Sequence, residues 1–257
     1  MTLLRAGLFN LYFALLTVGM GLGAFWVRLF APHRALAYAT AWCRLSVDGL
    51  RWICGIAVVV RGREHLSDRP VLVASQHQSA FDTLIWLTLA PRPAYVMKRE
   101  LIRLPLVGPM LLLAGMIPVD RDAGAAALRQ LLRAADEAVR DRRQIIIFPE
   151  GTRVAPGEIV RLQPGIAALA AHTGLPVLPV ATDSGRCWSR RAFLKHRGII
   201  HIDIGAPIDP ASLPGPRRAA LLEAIRHSWS EQERRMALAG RAVPHVDKSV
   251  GELSTGL

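Results

Sequence analysis

Two residues five positions apart, His77 and Asp82, sit in the run VASQHQSAFDTL, residues 73–84. A histidine can take up or release a proton near neutral pH, and a carboxylate bonded to one ring nitrogen fixes which tautomer is present. On one continuous α-helix the two side chains would point about 140° apart. They meet only if residues 77–81 form a turn. The flanking patterns predict such a turn: a buried-strand run, PVLVAS (70–75), comes before it and an apolar helical run, TLIWLTLA (83–90), comes after it. The same residues allow a second reading. Ser79 and Asp82 have capping-box spacing, in which case they cap the helix and His77 is a turn residue.

A second group lies in IIIFPEGTRV, residues 145–154, where a strand gives way at Pro149 to Glu150, Gly151, Thr152 and Arg153. The glycine frees the backbone so that N–H groups can converge on an anion, the threonine adds a hydroxyl donor, and the guanidinium offers a two-pronged cation suited to phosphate. Arg121, closing GMIPVDR (115–121), and Lys98, in YVMKREL (95–101), are further cations at strand ends. Each alone reads as a surface cation; together they place several cations, a base and an orienting acid at four strand ends. The apolar run at 101–117, broken by Pro105 and Pro109, reads as core or as a wall for a lipid chain.

Positioning these residues requires a sheet. Runs at 57–62, 70–75, 94–98, 116–120, 144–149, 176–182 and 199–205 read as strands, and those at 82–89, 123–140, 165–173 and 213–241 as helices. The alternation predicts an α/β fold, a single mixed, largely parallel sheet flanked by helices, with ligands at the carboxyl ends of its strands.

The whole chain limits the partners. Across 257 residues the net charge is +12, carried mostly by arginine, and mean hydropathy is +0.27. Such a balance suits an anionic membrane surface. Nucleic acid is disfavoured, because there is no zinc-finger spacing, no aromatic RNA-binding motif and no dense basic run. Cys43, Cys54 and Cys187 have no metal-site spacing, and their odd number argues against a disulfide framework. No charge interrupts residues 6–27, a stretch long enough as a helix to cross a bilayer. Residues 34–58 mix apolar and charged positions and read as a partner helix or an interfacial segment. The expected organisation is membrane-anchoring helices over 1–56, an α/β domain over 57–242 and a loose tail over 243–257.

In order and spacing, His77-x4-Asp82, Gly115…Arg121, Phe148-Pro149-Glu150-Gly151-Thr152-Arg153 and Leu178-Pro179-Val180 resemble the four motifs of the glycerolipid acyltransferases, with the closest likeness to the 1-acyl-sn-glycerol-3-phosphate acyltransferases. The resemblance runs from about Gly62 to Gly205. It implies that His77 is the general base and Asp82 its orienting acid. It also implies that Glu150, Gly151, Thr152, Arg153, Arg121 and Lys98 serve the acceptor phosphate, and that Pro179 lies on the acyl-chain side. The implied donor is acyl-CoA or acyl-carrier protein and the implied acceptor a lysophospholipid. Transfer is expected to be direct, with no cofactor and no metal, at a bacterial-type inner membrane with the catalytic part facing the cytoplasm. The alternatives are the same chemistry on glycerol-3-phosphate, lyso-ornithine lipid or another lysolipid, a hydrolase, or a lipid-binding protein without turnover.

Overall fold

The structure, a computed structural model, describes residues 2–120 and 123–242. The expected tail at 243–257 lies outside the described residues. Seven strands form one sheet in the order β1-β7-β6-β2-β5-β3-β4: β1 Ile56–Arg61, β2 Val71–Ser75, β3 Pro93–Lys98, β4 Ile117–Val119, β5 Gln144–Ile147, β6 Val177–Thr182 and β7 Gly198–Ile204. Every pairing is parallel except β6 with β7. Helices cover both faces, as buried parallel strands require. Along β2 the alternation is visible: Val71 and Val73 face one apolar core, Leu72 and Ala74 the other.

The first core is closed by α1 (Thr2–Phe30), α2 (Ala35–Gly49, continued by a π turn to Cys54) and α3 (Phe81–Leu89). The second is closed by α5 (Gly124–Arg140), α6 (Gly165–Thr173) and α8 (Arg217–Ala242). Two shorter helices, α4 (Gly108–Leu113) and α7 (Ser184–Cys187), sit at the end of the sheet that carries the site. The run at 101–117 is only partly core, for Leu101, Leu104, Leu106, Leu112 and Leu113 are exposed.

The two N-terminal helices form a hairpin that is built into the body. Phe9, Cys43, Leu50 and Cys54 are fully buried in the same core as β2 and α3. The Tyr12 hydroxyl donates to Leu45 O, the Tyr38 hydroxyl to Met20 O and the Trp42 indole to Thr17 Oγ1. At Gly49 a β-carbon would stand 2.3 Å from the Tyr12 ring, so this close approach needs glycine. The opposite side of α1 is uncovered: Leu4, Leu8, Leu11, Leu15, Val18, Leu22, Phe25 and Leu29 repeat at three- and four-residue steps and are all at least half exposed. So large an apolar stripe is not a surface that water tolerates well.

Candidate active site

Strand register brings the two main motifs together. β2 and β5 are parallel neighbours with Ala74 opposite Ile147. Three residues beyond that pair come His77 on one strand and Glu150 on the other. β3 runs parallel on the far side of β5 and ends at Lys98, opposite Val119 of β4. Four strand ends therefore share one edge of the sheet.

Beyond β2 the chain turns, and Asp82, in the first turn of α3, reaches back across that turn. One oxygen, Oδ2, accepts from the backbone N–H groups of Gln78 and Ser79, both at 2.7 Å, and lies 3.2 Å from His77 Nδ1. The two readings of this stretch thus coexist in one atom. The Ser79 hydroxyl accepts from Phe81 N–H, one residue earlier than a capping box requires. A carboxylate oxygen already accepting two N–H bonds presents an acceptor to the ring, so a neutral imidazole bonds it through Nδ1–H, with its lone pair on Nε2. The imidazole also stacks on Phe148, with centroids 4.2 Å apart.

The loop after β5 grips the His77 backbone from both sides. His77 N–H donates to Glu150 Oε1 at 3.0 Å, and His77 C=O accepts from Val154 N–H at 2.8 Å. At Gly151, φ is +72°, which turns the chain between these two contacts. Burial pushes the Glu150 carboxyl up to about 7 despite its bond to His77 N–H, and the nearby charges of Asp82 and Glu233 add to the rise. Its second oxygen meets no hydrogen-bond partner among the described residues.

A cavity of about 710 Å³ opens beside His77. Gly151, Thr152, Arg153 and Lys98 line one part of it. Much of the rest is apolar, walled by α1 (Met20, Gly21, Ala24), α2 (Ala39, Trp42, Cys43), α3 (Leu84, Leu87) and the Leu101–Leu111 region. Burial also lowers the affinity of the Arg153 guanidinium for its proton, with Asp82 opposing the effect.

Most of the residues picked out in the sequence thus reach one site, with three exceptions. Glu150 was expected at the phosphate site; its carboxylate is instead buried under the His77 backbone and does not line the cavity. A second anion at a phosphate would repel it, whereas a buried acceptor for a main-chain N–H fits. Pro179 was expected on the acyl-chain side, but it lies inside β6, its carbonyl taken by Gly205 N–H and Gln232 Nε2, and it does not line the cavity. Arg121 lies outside the described residues. Sequence reasoning missed Phe148, the ring beneath His77, although it opens the FPEGTR run, and Tyr95, which stacks on Phe148 at 6.1 Å. It also missed Arg190 and Arg191, which line the cavity from the segment after α7.

The family model described as Acyltransferase matches residues 57–183, which include His77, Asp82, Lys98 and the 148–153 run. A 1-acyl-sn-glycerol-3-phosphate acyltransferase of Pseudomonas aeruginosa is 33% identical over 250 residues, 96% of this chain and 97% of that protein. The human 1-acyl-sn-glycerol-3-phosphate acyltransferase alpha is 29% identical over 203 residues, 77% of this chain and 71% of the human one. In fold, the chain is similar to the crystal structure of the 1-acyl-sn-glycerophosphate (LPA) acyltransferase of Thermotoga maritima. That match has a TM-score of 0.75 at 23% identity and covers 92% of this chain and 98% of the other. The family model and the near-full-length relative together make this chain an acyltransferase. More narrowly, the chain belongs to the family of the 1-acyl-sn-glycerol-3-phosphate acyltransferases.

Proposed function

We propose that the protein transfers an acyl group from acyl-CoA or acyl-carrier protein to the sn-2 hydroxyl of 1-acyl-sn-glycerol-3-phosphate, giving phosphatidic acid. The observation that supports this reading is the joining, in one cavity, of the Asp82-bonded His77, the Gly151–Arg153 loop with Lys98, and a long apolar wall. Nε2 takes the proton of the acceptor hydroxyl as its oxygen attacks the thioester carbonyl. The carbon–sulfur bond then breaks, and the thiolate takes the same proton back from His77. Asp82 keeps the ring in the tautomer that makes this possible. The acceptor phosphate docks on Gly151, Thr152 and Arg153 with Lys98 beside them, and an acyl chain fills the apolar part. Direct transfer fits the nucleophiles at hand: Ser79 is fully buried with its hydroxyl occupied by Phe81 N–H, and Cys43, though in the cavity wall, is only 1% exposed.

The test is acyl transfer by the purified full-length chain, with both donor types, to a panel comprising 1-acyl-glycerol-3-phosphate, glycerol-3-phosphate and lyso-ornithine lipid. The expected preference is for the first. Arg153→Ala should raise the KM of that acceptor about 10- to 100-fold, the loss of a charge-assisted contact, and change the donor KM little. Thiol release that needs no acceptor would identify a hydrolase, and binding without any thiol release a lipid-binding protein.

The outer stripe of α1 supports a second part of the proposal, that the chain sits in a cytoplasmic membrane with its catalytic edge on the cytoplasmic side. The hairpin's inner face walls the cavity, so a membrane-dissolved acceptor would enter from lipid. Full-length protein should stay with membranes through a high-salt wash, since apolar burial is not screened while charge attraction is. The variant Leu11→Asp/Leu15→Asp/Leu22→Asp, altered only on the outer stripe, should wash off. Equal retention of both proteins would sink the membrane assignment of that stripe.

A further inference from the structure

The acceptor reading above leaves the segment between α7 and β7 without a role, yet it carries two arginines into the cavity. Arg190 and Arg191 occupy the middle of a turn closed by Ala192 N–H donating to Ser189 O at 3.1 Å. The Arg190 guanidinium donates to the carbonyl of Arg153 at 2.8 Å, so the turn touches the anion-binding loop directly. Among the described residues, none of Arg153, Arg190 and Arg191 pairs with a carboxylate. Three like charges at one cavity mouth repel each other unless an anion sits among them.

Two features fix the turn in place. Arg191 has φ +59°, a backbone conformation that a turn usually gives to glycine. The turn is also anchored. Lys195, nearly fully buried, donates to Phe193 O at 2.9 Å and to the Asn10 side chain of α1, and its ammonium lies 4.8 Å over the Trp188 ring. On the other side, α7 packs on the His77 loop, with Gly185 N–H donating to the Gln78 side chain at 3.2 Å. The two arginines are therefore presented on a pre-organised support, which lowers the ordering cost of binding.

We infer that the Arg190–Arg191 turn forms the second wall of the acceptor headgroup site and makes it selective for a phosphomonoester dianion over a phosphodiester. The inference rests on the acceptor reading and deepens it. A terminal phosphate presents three oxygens and close to two charges, enough to engage the Arg153 loop on one side and the turn on the other. A phosphodiester has one charge fewer and a substituent where the second wall must bind.

The experiment measures equilibrium binding of 1-acyl-glycerol-3-phosphate and of its phosphodiester counterpart, lysophosphatidylglycerol, to the full-length chain in detergent micelles without donor. Turnover and donor KM are measured alongside. Wild type should favour the monoester about tenfold or more. Arg190→Gln and Arg191→Gly should each remove most of that preference by weakening the monoester alone, with the donor KM within about twofold of wild type, because the interaction is with the acceptor. Glycine suits the backbone at position 191, so Arg191→Gly should fold as well as wild type, and its melting temperature checks this. A purely structural arginine would leave the preference intact in that variant. Retained preference in both variants overturns the inference, as does a raised donor KM with unchanged acceptor binding, which would assign the turn to the donor's phosphates. Monoester preference lost in the variants of an enzyme that binds but never transfers an acyl group would support the turn and overturn the function.

Discussion

His77–Asp82 and His201–Asp183 are two pairs of the same residues in the same sheet. In His77–Asp82 the Nδ1···Oδ2 distance is 3.2 Å; in His201–Asp183 it is 2.9 Å. The two imidazoles are almost equally exposed, at 13% and 15%. Neither distance nor exposure separates them, and by distance the second pair looks better made. The surroundings differ. Asp183 follows β6 one step beyond Thr182, which lies opposite Ile202 of the antiparallel β7, so Asp183 and His201 are cross-strand neighbours. Asp183 uses its other oxygen to accept the His201 backbone N–H at 2.7 Å, which clips the ladder at its end. His201 does not line the cavity. His77, by contrast, borders that space with Gly151, Thr152 and Arg153 beside it. A histidine–aspartate pair becomes a candidate for chemistry through what its second ring nitrogen faces.

Replacing both histidines tests the contrast where the effect should be greatest. His77→Ala should lower turnover about 10²- to 10⁴-fold, the range of a positioned general base. Its melting temperature should stay close to that of wild type, because the contacts that hold this loop use the His77 backbone and the Asp82 carboxylate, and both remain. His201→Ala should keep turnover within about twofold, as expected of a residue that touches neither substrate. Comparable losses of turnover in the two variants would erase the distinction.

Glu150 sharpens the comparison from below the catalytic pair. Asp183 holds a backbone N–H near the surface, whereas Glu150 holds the His77 N–H under cover, and burial raises its carboxyl from 4.5 to about 7. The sign follows from linkage. Between those two values the folded chain keeps a proton that the unfolded chain has lost, so stability falls as pH rises, and above about 7 the whole cost is present. Glu150→Gln keeps an oxygen for the His77 N–H and removes the ionisation. It should therefore be more stable than wild type at pH 8, by on the order of 1–3 kcal/mol. Near pH 4.5 the two should converge. Denaturant unfolding across that range measures it, and a gap that does not change with pH would mean that Glu150 is not the titrating group.

Strands, helices and the gathering of cations at one edge were legible in the sequence, because each depends on local period and on motif residues next to strand ends. Three things were not. An acid following a strand end can point outward or under the neighbouring loop, and only the register of β2 against β5 sends Glu150 beneath His77. Arg190 and Arg191 sit far from any motif in a chain full of arginines, and the path of one loop alone brings them to Arg153. The α1 segment reads as apolar throughout, which hides its two faces. Phe9, Tyr12 and Phe13 pack into the core on one face, while the other face carries the exposed stripe.

The smallest effect separates the cross-strand clip from a third pair, His172–Asp136, which joins α6 to α5 at 2.8 Å with the side chains 36% and 53% exposed. All three pairs satisfy the same distance criterion, so a stability scale based on distance would rank this one first. Solvent screens it, and holding two mobile side chains in one geometry offsets most of the attraction. His172→Ala should therefore change stability by no more than about 0.5 kcal/mol. His201→Ala should cost more, roughly 1 kcal/mol, because the Asp183 carboxylate it leaves is partly shielded and loses one of two hydrogen bonds. The difference is small but within reach of paired denaturant melts at one pH. If the exposed pair proved as costly to break as the cross-strand one, burial would not be what gives these pairs their weight.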